Sequence, residues 1–80
     1  MSTFTIEIET TCAGGFPIIA HAEIGFPEPD VGLPNYYIVQ WEVLSRRGQP
    51  VPFIKPSKLD EVRIEDEILN RVAYEVGRSL

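Results

Sequence analysis

Cys12 and His21 are the residues of this sequence best suited to nucleophilic chemistry: a thiol to attack and an imidazole to take its proton. Each occurs once in the chain. A reactive cysteine needs a nearby cation or base to favour its thiolate, and residues 1–45 hold no Lys or Arg. His21 is therefore the only available activator, and Cys12 reads as a bystander thiol in a turn beside Thr10, Thr11, Gly14 and Gly15. One Cys and one His do not make an ordinary zinc site. The run Ala13-Gly14-Gly15 lacks the lysine and glycine spacing of a phosphate loop. No metal or cofactor is expected, and a small enzyme using Cys12 and His21 is the weakest of three functional readings.

The second candidate chemistry is phosphate binding. Arg46, Arg47, Lys55 and Lys58 form the one basic segment, at 46–58, with net charge +4. The flanking segments are acidic. Residues 1–45 carry Glu7, Glu9, Glu23, Glu28, Asp30 and Glu42 for a net of −6, and residues 59–80 carry six acids and three arginines for −3. The whole chain stands at −5, which disfavours non-specific nucleic-acid binding. No aromatic residues for base stacking interleave the four cations, so they read first as a solvated turn and its surroundings. The acids at 60–67 read first as a helix start stabilised by the helix dipole, and second as a mimic of a phosphate backbone.

Eighty residues make one domain, residues 1–80, with a thin core that buries about 60–65% of the unfolded surface. The single cysteine leaves no intrachain disulfide, so oligomerisation is the remaining staple and a homodimer is expected. No apolar run reaches the roughly 20 residues of a bilayer span, and no signal peptide is visible. Those features suit the cytoplasm.

The elements that position these residues follow from periodicity. Residues 3–9 alternate Phe4, Ile6, Ile8 with Thr5, Glu7, Glu9, the period of a half-wet strand. Residues 17–24 form a second strand, with Ile18, Ala20, Ala22 and Ile24 on one face and Ile19, His21 and Glu23 on the other. Three prolines and two glycines make 25–35 a long loop. Residues 36–45 form the strongest strand, read with Tyr37, Val39, Trp41 and Val43 inward and Ile38, Gln40, Glu42 and Leu44 outward. A turn over 46–49 follows. Residues 51–54 are expected as a short fourth strand, restricted to the edge by Pro50 and Pro52. Ile64, Ile68, Val72 and Val76 then recur every four residues, with Leu69, Ala73 and Leu80 widening the stripe and Arg71, Glu75 and Arg78 facing away. This predicts a helix over 64–77 with a first turn at 57–62, where Ser57 and Asp60 resemble a capping box. Phe16, Phe26, Leu33 and Tyr36 bracket the loops, as pins to the core or as contact anchors.

The fold class is thus α+β: a three- to four-stranded antiparallel sheet with one C-terminal amphipathic helix packed on one face. The other face would present Ile19, His21, Ile38, Gln40, Glu42 and Leu44, a mixed surface suited to a protein partner or a second copy. Glu23 and Glu42 are the acids expected beside His21.

In layout the chain resembles small accessory proteins encoded by phages and prophages. The resemblance rests on residues 4–8, Pro17-Ile18-Ile19-Ala20, the 27–34 loop and residues 65–76. It implies a protein that acts by binding a host or phage protein, in some cases as an inhibitor, in the host cytoplasm. It assigns no site residues. The leading reading is a non-enzymatic protein-binding domain. The alternative is a nucleic-acid or phosphate-binding module using Arg46, Arg47, Lys55 and Lys58.

Overall fold

The structure is a computed structural model that describes residues 2–32 and 35–78. Its elements are β1 (Thr3–Cys12), β2 (Phe16–Gly25), a single 3-10 turn (Pro29–Val31), β3 (Tyr37–Leu44) and α1 (Lys58–Arg78). The three strands form one antiparallel sheet in the order β1-β2-β3. The α+β class and the single covering helix are as the periodicity requires. Leu33 and Leu80, and the side chain of Arg78, lie outside the described residues.

β1 is longer than its alternation suggested. It continues through Thr10 and Thr11 to Cys12, and the turn is confined to Ala13, Gly14 and Gly15. All three turn residues have positive φ (52°, 82° and 116°). Glycine adopts such angles freely, whereas alanine at positive φ costs about 1–2 kcal/mol. Asp60 holds that alanine in place, accepting a hydrogen bond from the Ala13 N–H at 3.1 Å.

Antiparallel pairing puts directly opposed residues on one face of the sheet. Phe4 opposes Ile24, Ile6 opposes Ala22, and Ile8 opposes Ala20. Across the next interface Ala20 opposes Val43 and Ala22 opposes Trp41. The alternation then breaks. A β-bulge at Glu23/Ile24 sets Glu23 against Gln40 but Ile24 against Ile38, so β3 carries one extra residue. The bulge turns Ile38 inward, where it packs on the core, and leaves Val39 46% exposed. Tyr37 then opposes Gly25. Its ring occupies the space a Cβ at Gly25 would need. The expected inward placement of Tyr37 and Val39, and the outward placement of Ile38, are therefore corrected.

α1 is continuous from Lys58, six residues earlier than the secure stretch of the stripe. Exposed Leu59 and Val62 interrupt the apolar pattern there, but the local hydrogen bonds start the helix. Ser57 Oγ accepts from the Asp60 N–H at 3.1 Å, and Asp60 Oδ2 accepts from the Ser57 N–H at 3.2 Å. Asp thus performs the reciprocal capping role usually taken by Glu or Gln. Ile64, Ile68 and Val72 are buried against Ile18, Ala20, Ala22 and Ile24. Each fully buried aliphatic side chain contributes on the order of 1.5–3 kcal/mol. The small side chains of Ala20 and Ala22 leave room for the helix to approach β2. Val76 packs at the margin of this core, whereas Leu69 and Ala73 are exposed and do not widen the buried stripe.

Polar contacts fix the helix at both margins. Arg63 donates to the Thr11 carbonyl and to Thr10 Oγ1, and pairs with Glu67 at 2.7 Å. On the opposite side Trp41 Nε1 donates to Glu65 Oε2 at 3.2 Å. Phe4, Phe26 and Tyr36 meet with ring centroids 5.2–6.0 Å apart, pinning both ends of the long loop to the sheet. Phe16 is 46% exposed and takes no part in that cluster.

Residues 51–54 form no fourth strand. A single bridge joins Leu44 to Pro50, after a turn closed by Ser45 N–H to Gln49 O at 2.7 Å. Pro50 and Pro52 lack the N–H groups a ladder needs.

Candidate open sheet face and strand-edge groove

The face of the sheet opposite α1 is organised in cross-strand rows. Thr5, Glu23 and Gln40 form one row; Glu7, His21 and Glu42 the next; Glu9, Ile19 and Leu44 the third. The two-residue alternation of the three strands thus places four carboxylates, Glu7, Glu9, Glu23 and Glu42, on the face that carries His21. Both carboxylate oxygens of Glu23 are held, by Thr3 Oγ1 at 3.0 Å and Gln40 Nε2 at 3.1 Å. His21 Nδ1 lies 3.0 Å from Glu7 Oε2, both side chains partly open to solvent. Its closest acid is therefore Glu7 rather than Glu23, because the β1–β2 register sets it opposite position 7. An exposed pair of this kind is worth about 0–1 kcal/mol, so it orients the imidazole more than it stabilises the fold. A depression of about 230 Å³ lies over Thr5, His21, Glu23, Gln40, Trp41 and Glu42.

Of the six residues expected on this face, Ile19, His21, Gln40 and Glu42 lie there. Ile38 does not, because the bulge turns it to the core. Leu44 opposes Ile19 but is only 8% exposed. It lies outside the main core cluster, and its bridge to Pro50 brings the following turn back beside it. It is a buried side chain, not a contact surface.

Cys12 and His21 are separated by the sheet. Cys12 ends β1 on the helix side, 1% exposed and within the core, whereas His21 is on the open face. Burial raises the thiol pKa, with Asp60 adding to the rise and Arg63 partly opposing it. The imidazole cannot serve this thiol as a base, and the environment disfavours the thiolate.

The four basic residues divide between two segments. Arg46 and Arg47 are exposed in the turn after β3, while Lys55 and Lys58 are exposed before and at the beginning of α1. At the helix start the Asp60 N–H is met by Ser57 Oγ, and the Asp60 carboxylate, itself negative, accepts from the Ser57 and Ala13 N–H groups beside it. Backbone hydrogen bonds from Ala13 and Ser57 hold that carboxyl below its ordinary pKa of 3.8.

A feature the sequence reading missed is a groove of about 440 Å³ along the outer side of β3. Trp41, Glu42 and Val43 all line it. Successive strand residues point to opposite faces, so a groove touching all three must follow the strand's edge. Its other wall is the strap at 50–56, with Pro50, Pro52, Ile54 and Pro56, and Glu61 of α1 also lines it. The sequence signal was present in Pro50 and Pro52. Prolines that keep a segment out of the sheet also keep it from covering the sheet's edge. Trp41 and Glu42 line both the groove and the open-face depression.

Among the described residues no helix is long and apolar enough to cross a membrane, and no cluster of His, Cys, Asp or Glu could hold a metal ion. No family model, curated protein or solved structure matches the chain.

Proposed function

We propose that this chain is a non-enzymatic protein-binding module whose open sheet face receives a basic surface of its partner. The observation that carries the reading is the row structure of that face. Glu7, Glu9, Glu23 and Glu42 are brought together from all three strands on the side α1 leaves uncovered, and none of the three strands carries a Lys or Arg. Complementary charge of this kind steers association and selects partners. The separation of Cys12 from His21 by the sheet supports a binding rather than a catalytic role.

The test is comparative affinity capture from a native lysate with the wild-type chain and a Glu7→Lys/Glu9→Lys variant. Both substitutions are exposed, so the variant should melt with the wild type. The reading expects a partner that the wild type retains at low salt, releases as salt rises, and loses with the variant. Equal retention of the same partners by a folded variant would refute it.

A further inference from the structure

β3 is an edge strand, and among the described residues the outer side of Tyr37–Val43 has no backbone partner; only Leu44 is bridged, to Pro50. Unpaired N–H and C=O groups on such an edge are a template for another strand. The strap at 50–56 stands off from this edge and leaves the groove described above. We propose that this edge and groove bind an extended segment of a partner protein as a fourth strand, one that alternates apolar residues with Lys or Arg. The proposal rests on the acidic-face reading and names how the partner would engage it.

Over Gln40–Val43, past the bulge, the pleat dictates the alternation. An added strand places every second side chain on the helix side, beside Trp41 and Val43 and under the prolines of the strap, where the lining is apolar apart from Glu61. The intervening side chains fall on the open face beside Gln40 and Glu42. There a basic residue would extend the row Glu7–His21–Glu42 by one more strand, next to a carboxylate that has no ion-pair partner among the described residues. Opposite charges directly across a strand pair stabilise it, and like charges destabilise it. The same rule argues against a second copy of this chain as the occupant. β1 would bring Glu7 and Glu9 to the edge, and β3 would bring its own Glu42, so each would set carboxylate near carboxylate.

Trp41, the one tryptophan of the chain, reports occupancy by its emission. The probes are three synthetic peptides matching the eight residues of β3 in length. One alternates valine and lysine, one alternates valine and glutamate, and the third is the valine–lysine peptide N-methylated along its whole backbone. The valine–lysine peptide should bind, with the other two weaker by about tenfold or more. In Glu42→Lys the preference should reverse toward the valine–glutamate peptide. Equal binding of the N-methylated peptide would overturn strand addition while leaving the acidic-face reading intact. So would failure of the valine–lysine peptide to bind while Glu7→Lys/Glu9→Lys still loses its captured partner. Equal binding of the valine–glutamate peptide would overturn the charge assignment and with it both readings. A wild-type dimer in sedimentation that the valine–lysine peptide dissociates would assign the edge to a second copy and overturn the proposal.

Discussion

Alanine substitutions at Ile38 and Val39 distinguish the two phases that β3 can take. Uninterrupted alternation from Trp41 puts Val39 inward and Ile38 outward; the bulge at Glu23/Ile24 reverses them. Truncating a fully buried isoleucine to alanine costs about 2–5 kcal/mol. Ile38 is partly buried against the core, so Ile38→Ala should cost about 1.5–3 kcal/mol. Val39 is 46% exposed, and Val39→Ala should stay within about 0.5–1 kcal/mol, mostly lost strand preference. The whole domain is worth about 4–12 kcal/mol, so the first change is a large fraction of its stability. Urea unfolding followed through Trp41 gives both values. With a slope near 1 kcal/mol per molar urea, the midpoint of Ile38→Ala should fall by about 1.5–3 M and that of Val39→Ala by under about 1 M. A larger loss for Val39→Ala, with unchanged slopes, would refute the bulge and return Ile38 to the open face.

Leu44→Asp should destabilise strongly rather than merely remove a contact, since the site is 8% exposed; a thermal midpoint within about 3 °C of wild type would show that Leu44 does not need burial. Asp60 has a depressed folded-state pKa, so its contribution is present above the ordinary value of 3.8 and is lost as pH falls through the lower folded value. The stability gap between wild type and Asp60→Asn should therefore narrow between about pH 5 and about pH 2, and a gap that stays constant over that range would contradict the assignment. Cys12 is 1% exposed, and burial raises its pKa; iodoacetamide should label it slowly in the native chain and rapidly in denaturant. A native labelling rate equal to that of a free thiol would place Cys12 outside the core.

The sequence by itself determined the class of fold, because two periodicities leave one solution. Alternation over Phe4, Ile6 and Ile8 and over Ile18, Ala20, Ala22 and Ile24 makes a one-faced sheet. The four-residue recurrence of Ile64, Ile68, Val72 and Val76 makes the helix that covers it. The reciprocal bonds of Ser57 and Asp60 were also legible, being local. Tertiary structure decided the phase of β3, since an apolar run from Tyr36 through Val39 offers either side equally well to a core and only pairing with β2 selects one. It likewise decided that Glu7, fourteen positions from His21, is its neighbour, because register belongs to two strands at once. The groove beside β3 depends on where the strap comes to rest between the end of the sheet and the start of the helix. Pro50 and Pro52 forbid the segment to join the ladder, but its standoff from Trp41 is set by packing among elements distant in sequence.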